Sequence, residues 1–140
     1  MLLKLRYPPT PEFASKHADV AVASVKRIDK VVLDYSPQSL AVIDRIIQGF
    51  RRERCKESDV RETIFCFGCY AGEVVVRSKQ GRWREAKEVL PENLLKMFPF
   101  MVVQLPNGKV LNPIAKAFKQ LANGEEDSLV YFYQALTAEP

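Results

Sequence analysis

The chain has 140 residues, 47% hydrophobic and 27% charged, which is the composition of one folded domain and excludes a disordered or low-complexity protein. Its net charge of +4, from 21 basic and 17 acidic side chains, gives only weak support for an anionic partner. The chain lacks a run of about 18 apolar residues, and its apolar start is too short for a signal peptide, so we expect a cytoplasmic protein with no membrane partner. Because the number of cysteines is odd, we expect them to be reduced thiols.

The first predicted helix begins at the Thr-Pro-Glu sequence of residues 10–12. The threonine hydroxyl can cap the helix, proline is tolerated in the first turn, and the glutamate favours the helix dipole. The helix is predicted to end between residues 28 and 30. Residues mostly three and four apart are expected to face the core: Phe13, His17, Val20, Ala21, Ser24, Val25 and Ile28. Residues 31–33 form a β-branched run that fits either a short strand or a connector.

A second helix is predicted to begin at Ser36-Pro37, which repeats the capping hydroxyl and the proline, and to continue to about Arg54. Its apolar stripe is expected to contain Leu40, Ile43, Ile46, Ile47 and Phe50. The charged residues of this helix are expected mostly on the solvent side: Asp44, Arg45, Arg51, Arg52 and Arg54.

The middle of the chain, residues 63–76, is apolar almost throughout and could form a strand or a helix. At about 100° per residue, most apolar residues fall on one side and four others on the opposite side: Cys66, Tyr70, Glu73 and Arg77. This sorting predicts a buried central helix from about residue 59 to residue 79. Gly68 and Gly72 each cost about 1 kcal/mol of helix propensity, so another element is expected to approach them closely. The alternative is a β-hairpin that turns near Gly68 and Cys69.

A small antiparallel sheet is predicted after this helix. Residues 82–86 are expected to form a short strand with Trp83 turned inward, and residues 91–96 a helical turn or a loop. The clearest hairpin spans residues 101–111, because Asn107-Gly108 supplies the positive φ that a tight turn requires.

Two further helices are predicted at the C-terminal end of the chain. One begins at Asn112-Pro113 and closes at Asn123-Gly124, and the last begins at residue 127 or 128. The pattern contains no alternation of strands and helices, so the expected fold class is α+β, a helix-rich single domain of residues 1–140 with a small antiparallel sheet. Residues 1–9 and 137–140 are expected to be loose ends.

Cys66 and Cys69 have the spacing of a thiol–disulfide motif, whose reactive thiolate is normally found at a helix N-terminus. In the middle of an apolar helix, burial would instead raise their pKa, so small buried cysteines are the favoured interpretation and redox chemistry the alternative. A zinc site would have to recruit Cys55 or His17 without a second spaced pair, and His17 fits a hydrogen-bonded core histidine. We therefore expect no metal and no other cofactor.

Tyr70, Glu73 and Arg77 are spaced so that they form one stripe on a helix, and they are the best polar cluster in the chain. The first interpretation is a structural ion pair between Glu73 and Arg77, with Tyr70 as a hydrogen-bond donor. The second is a ligand-binding cluster that includes Trp83. General acid–base catalysis is a third alternative, and no catalytic residue is assigned.

Two basic clusters, residues 51–56 and 77–84, raise the alternative of nucleic-acid binding, with Trp83 available for stacking on a base. Both clusters contain or adjoin acidic residues, and no known nucleic-acid-binding motif accompanies them. The sequence therefore disfavours a nucleic-acid partner.

Four segments, LDYSPQSLAVIDRII, GCYAGEVVVR, GRW and NPIAKAFKQLANGEEDSL, resemble a family of small, uncharacterised bacterial domains. The matching positions lie within about residues 33–132: Ser36, Leu40, Asp44, Gly68, Tyr70, Gly72, Glu73, Trp83, Pro113 and Gly124. The resemblance implies a helix at residues 68–73 and an α+β fold, and it carries no assigned activity. Similar domains occur on bacterial mobile elements, and the cysteine pair is not part of the pattern.

The sequence thus predicts a non-enzymatic binding or protein-interaction module that uses a groove beside the stripe of Tyr70, Glu73 and Arg77. Its partner would be an unknown protein or a small ligand, and a homodimer is one form of such an interaction. The first alternative is a redox protein or another small enzyme that uses Cys66 and Cys69. The second is a weak nucleic-acid binder that uses the basic clusters.

Overall fold

The computed structural model of this protein describes residues 4–95 and 101–138 and is organised around one long central helix. Three helices occupy the first half of the chain: α1 (Ala14–Asp29), α2 (Leu40–Arg52) and α3 (Glu57–Lys79). A 3-10 turn precedes α1 at Pro11–Phe13, and another precedes α2 at Pro37–Ser39. Ser36 Oγ accepts the N–H of Ser39 at 3.2 Å, so the predicted capping hydroxyl is confirmed at the second helix. Thr10 makes no such capping hydrogen bond.

The central helix α3 is buried without interruption from Ile64 to Val75. Its helical geometry is confirmed, and the alternative of a hairpin near Gly68 is wrong. A Cβ atom at Gly68 would lie 2.5 Å from the Cα of Ile114, and a Cβ atom at Gly72 would overlap the indole ring of Trp83. The two glycines therefore allow the close approach of other elements that their cost in helix propensity predicts.

A three-stranded antiparallel sheet follows α3, in the spatial order β1 (Arg82–Glu85), β2 (Met101–Gln104), β3 (Val110–Leu111). Trp83 pairs with Val103, and Val103 pairs in turn with Leu111. The hairpin predicted at residues 101–111 is confirmed, and Gly108 in its turn has a φ of 89°. Between β1 and β2 lie two single-turn helices, α4 (Ala86–Val89) and α5 (Glu92–Leu95).

The C-terminal part of the chain contains α6 (Pro113–Asn123), a 3-10 turn (Glu125–Asp127) and α7 (Leu129–Ala138). Asn112 Oδ1 accepts the N–H of Ala115 at 3.0 Å, which gives α6 the side-chain cap that its sequence predicts. The fold is thus the expected helix-rich α+β domain with a small antiparallel sheet. Residue 96 of the loop predicted at residues 91–96, and residues 1–3 and 139–140 of the predicted loose ends, lie outside the described residues.

Several residues lie in other environments than their local sequence patterns predict. Ile28, expected in the core, is 75% exposed, because it lies in the last turn of α1, beyond the part of that helix which is buried. Ala86, expected in the strand, begins α4 instead. Asp44 and Arg51, expected on the solvent side of α2, bind backbone groups of later elements: Asp44 accepts the N–H of Leu129 at 2.8 Å, and Arg51 donates to the carbonyl of Leu121 at 2.7 Å. Residues 31–33 are a connector rather than a strand.

Candidate functional site

The predicted stripe of Tyr70, Glu73 and Arg77 lies on α3, but Tyr70 has its own partners. Its hydroxyl accepts the backbone N–H of Tyr35 at 2.8 Å and lies 2.6 Å from Ser39 Oγ. Ser39 Oγ donates its single proton to the carbonyl of Ser36 at 2.6 Å, so the Tyr70 hydroxyl must be the donor to Ser39. Tyr70 is therefore a hydrogen-bond donor, as the first interpretation of the stripe expects, and its acceptor is Ser39 at the start of α2.

Glu73 is almost buried, with 10% of its side chain exposed, and both of its oxygens have partners. Oε2 accepts the indole N–H of Trp83 at 2.9 Å, and Oε1 lies 3.4 Å from Nε of Arg77. The carboxylate thus joins β1 to α3, and its burial is balanced by one neutral and one charged donor. The Glu73–Arg77 ion pair of the first interpretation is present. The indole N–H of Trp83, which the second interpretation assigns to a ligand, instead binds Glu73.

Tyr35 completes this cluster and was not found from the sequence. Its ring stacks on the ring of Tyr70 at a centroid distance of 4.8 Å, and the guanidinium carbon of Arg77 lies 3.6 Å from the centroid of the Tyr35 ring. Its hydroxyl donates to Asp19 Oδ1 at 2.8 Å; burial, helped by that carboxylate, raises the pKa of Tyr35. Tyr35 also has a φ of 63°, which is rare for an aromatic residue and is stabilised here by the turn at Asp34.

Arg77 presents an ordered and accessible guanidinium group. Its side chain is 48% exposed, its guanidinium carbon lies over the Tyr35 ring, and Nε donates to Glu73. No described residue accepts a hydrogen bond from Nη1 or Nη2, so both outer nitrogens are available to a partner. We call the exposed side of Arg77 and Tyr35 the Arg77 face. A guanidinium held in this way loses little further side-chain freedom when it binds an acceptor.

The Arg77 face lies outside four surface cavities in the described part of the chain. Four surface cavities of about 390 to 480 Å³ are lined by described residues, and none of the four is lined by Tyr70, Glu73, Arg77 or Trp83. The groove expected beside the stripe is therefore not one of these cavities.

The cysteines of the redox alternative are in a poor environment for thiolate chemistry. Cys66 is 6% exposed and Cys69 is fully buried, and both are free thiols in the middle of α3. Burial raises the pKa of Cys66 to about 11 and that of Cys69 well above its usual value. Both groups are thus protonated at neutral pH, which disfavours nucleophilic or redox chemistry.

His17 is buried and lines the same cavity as Cys66. Its Nε2 lies 2.9 Å from the carbonyl of Pro8, so Nε2 must carry the proton, and burial lowers the pKa of the ring. Its ring and that of Phe65 pack in a T-shaped arrangement with a centroid distance of 5.0 Å. These contacts are those of a neutral core histidine. Within residues 4–95 and 101–138, no group of three or more His, Cys, Asp or Glu side chains is arranged to hold a metal ion.

The two basic clusters are divided among intramolecular partners. In the first, Arg51 binds the carbonyl of Leu121. In the second, Arg84 donates to Gln104 Oε1 at 2.8 Å, and Lys79 lies over the ring of Tyr133. With Arg77, which binds Glu73, four basic residues of the two clusters thus have partners within the fold.

Comparison with known proteins gave no significant match to a family model, to a curated protein or to a solved structure. In the part of the chain that the structure describes, no helix combines the length and the apolar character needed to cross a bilayer.

Proposed function

We propose that this chain is a non-enzymatic interaction module that binds a protein partner through the Arg77 face. The observation that carries this proposal is the orientation of Arg77, whose guanidinium lies on the Tyr35 ring at 3.6 Å while its two outer nitrogens point to no described acceptor. A partner would place a carboxylate or a backbone carbonyl against these two nitrogens.

A protein partner is favoured over a small ligand because neither Arg77 nor Tyr35 lines any of the four cavities described above. Small-molecule sites are clefts that bury most of the ligand, whereas protein interfaces are flatter and are enriched in arginine and tyrosine. Arginine and tyrosine are, with tryptophan, the residue types enriched among the residues that supply most of the binding energy of such interfaces. Asp19 and Asp34 lie next to Tyr35, so a partner with both acceptors and basic groups fits the local charge best.

The proposal has no catalytic step because the groups that could supply one are engaged or neutral. Both oxygens of Glu73 are occupied, and burial raises the pKa of Cys66 and Cys69. An enzyme built on this stripe would need a carboxylate or thiolate free to exchange a proton, which is the requirement for general acid–base or nucleophilic catalysis.

The proposal is tested by site-specific photo-crosslinking of the full chain in cells. A photoreactive residue replaces Val32, which is 66% exposed and lies three residues before Tyr35, and a control chain carries it at the exposed Ala122 of α6. We expect an adduct of defined mass from position 32 only, weakened about tenfold by Arg77→Met and less by Arg77→Lys. An adduct of twice the chain's mass would identify the partner as a second copy.

Arg77→Met keeps an apolar stem and removes the guanidinium, and the thermal stability of this variant serves as the control for its fold. Arg77 is half exposed, and we expect only a small loss of thermal stability from this change. If the Arg77→Met chain gave the same adducts as the unsubstituted chain, the Arg77 face would not be a binding surface and its ion pair would be purely structural.

A further inference from the structure

A cavity of about 410 Å³ lies between the described N-terminal residues and the helices α1 and α3, and we call it the Arg6 cavity. The lining residues that matter here come from these three parts of the chain: Leu5 and Arg6 before the first 3-10 turn, Val20 and Ser24 on α1, and Glu62 and Thr63 on α3. The volume of the cavity lies within the range of about 300 to 1,000 Å³ that small-molecule sites occupy, and neither Arg77 nor Tyr35 lines it.

Two opposite charges line the Arg6 cavity without pairing with each other. Arg6 is exposed, and no described residue accepts a hydrogen bond from its guanidinium or forms an ion pair with it. Glu62 is half-buried, and its Oε2 accepts the backbone N–H of Lys4 at 3.2 Å, but no basic side chain of the described residues forms an ion pair with it. Burial raises the pKa of the Cys66 thiol; the charge of Glu62 raises it further and the charge of Arg6 lowers it, so both groups lie near one thiol. An accessible cation and an accessible anion are therefore both available to a ligand in one cavity.

The rest of the cavity wall combines apolar and hydroxyl groups. Leu5 and Val20 are half-buried, because each packs against a core cluster and also lines the cavity. Ser24 and Thr63 are half-buried as well, and neither hydroxyl has a hydrogen-bond partner among the described residues. A hydroxyl group can donate to a carboxylate or accept from an ammonium group. The wall thus suits a small molecule with a short hydrocarbon part and a charged head.

We propose that the Arg6 cavity binds a free α-amino acid with an apolar side chain. The carboxylate of the ligand pairs with the guanidinium of Arg6, because the parallel N–H groups of a guanidinium match the two oxygens of a carboxylate. The ammonium group of the ligand pairs with the carboxylate of Glu62. The apolar side chain of the ligand lies against Leu5 and Val20 and removes part of their accessible surface from water.

The two charges of the cavity select this class of ligand. Arg6 repels a simple amine and Glu62 repels a simple carboxylate, whereas a zwitterion satisfies both charges. In a peptide chain the ammonium and carboxylate groups belong to residues at opposite ends, and only a free amino acid carries both on one carbon atom. The site is separate from the Arg77 face, so this proposal does not depend on a protein partner.

The test is an NMR titration of the full chain with L-leucine and with two analogues that each lack one charge. The analogue 4-methylpentanoate lacks the ammonium group, and 3-methylbutylamine lacks the carboxylate. With leucine at concentrations up to about 10 mM, we expect saturable shifts of the methyl signals of Val20 and Thr63, and an affinity at least about tenfold higher than for either analogue. The methyl signals of Val130, which lines two other cavities, should not shift. The absence of saturable shifts at Val20 and Thr63, equal shifts at Val130, or equal affinity for leucine and either analogue would overturn the proposal.

Two substitutions assign each ligand charge to its partner in the cavity. Glu62→Gln keeps an oxygen for the backbone N–H of Lys4 and removes the negative charge, so it should weaken leucine binding about tenfold and strengthen the binding of 4-methylpentanoate. Arg6→Met should weaken leucine binding by a similar factor and strengthen the binding of 3-methylbutylamine. Unchanged leucine affinity in either variant, or an analogue preference that does not change, would contradict the assigned contacts.

A matched control separates the cavity from the general charge of the surface. Lys26→Met removes one positive charge from an exposed residue of α1 that does not line the cavity, and it should leave leucine affinity unchanged. An equal loss of affinity in Lys26→Met and Arg6→Met would contradict the proposal. If Arg6→Met fails to fold, Arg6→Lys provides the second measurement, because it keeps the charge and loses the paired N–H groups. Its leucine affinity should be lower than that of the unsubstituted chain, and an unchanged affinity would contradict the pairing of Arg6 with the carboxylate.

Discussion

The indole N–H of Trp83 donates to Glu73 Oε2 at 2.9 Å, and the same indole ring lies against the bare backbone of Gly72. Glu73 and Gly72 are neighbours on α3. Glu73 accepts the hydrogen bond of the indole, and Gly72, which has no side chain, leaves space for the ring. This relationship fixes β1, and with it the whole sheet, on the central helix.

Substitution of Glu73 should separate the role of its oxygen from the role of its charge. Glu73→Leu leaves the indole N–H of Trp83 without an acceptor and should lower the free energy of unfolding by about 1–3 kcal/mol. Glu73→Gln retains an oxygen for Trp83 and loses only the attraction to Arg77, so its loss should be about 0.5–1.5 kcal/mol. Urea unfolding followed by tryptophan fluorescence measures both. Equal losses would show that the ion pair, rather than the indole hydrogen bond, stabilises the site.

Gly68 is predicted to tolerate no side chain. A Cβ atom there would lie 2.5 Å from the Cα of Ile114, and backbone cannot move aside as a flexible side chain can. Gly68→Ala should therefore destabilise the protein by about 1–3 kcal/mol, despite the gain of about 1 kcal/mol in helix propensity.

Gly49 provides the matched control, because it is also a helical glycine, on α2, and a Cβ atom there would meet only the end of the Arg52 side chain at 3.6 Å. Gly49→Ala should stabilise the protein by up to about 1 kcal/mol in the same unfolding measurement. If both glycines responded alike to substitution, helix propensity rather than the contact with α6 would govern Gly68.

The central helix and its two glycines could be predicted from the sequence, because helical periodicity and propensity are local properties. The partners of the stripe could not be predicted in the same way. Tyr35 reaches Tyr70 and Arg77 only because the chain turns at a positive φ after α1, and such a turn leaves little trace in apolar spacing. The burial of Gln120 on α6 could not be predicted for a similar reason, since a glutamine on an amphipathic helix is normally expected to face solvent.

The three cysteines should differ in reactivity in the native protein. Cys55 is partly exposed, whereas Cys66 and Cys69 are buried and burial raises the pKa of both. With iodoacetamide at pH 7.5, a usual condition for thiolate chemistry, we expect Cys55 alone to be alkylated quickly and the other two only after unfolding. Cys55→Ser, as the control, should remove the fast phase. Rapid native alkylation of Cys66 or Cys69 below about pH 7 would instead support the redox alternative.

Acid should destabilise the protein through His17. Burial lowers the pKa of His17 below its usual value of 6.5, so the folded state holds the ring neutral while the unfolded state binds a proton near pH 6.5. The stabilising contribution of neutral His17 is therefore complete above pH 6.5 and is lost progressively as the pH falls below it. Melting temperatures measured from pH 8 down to pH 5 should fall more steeply for the unsubstituted chain than for His17→Gln, which keeps an N–H for the carbonyl of Pro8 but does not titrate. Parallel curves for the two proteins would mean that His17 keeps an ordinary pKa, and that the ring is hydrated despite its position between Tyr7 and Phe65.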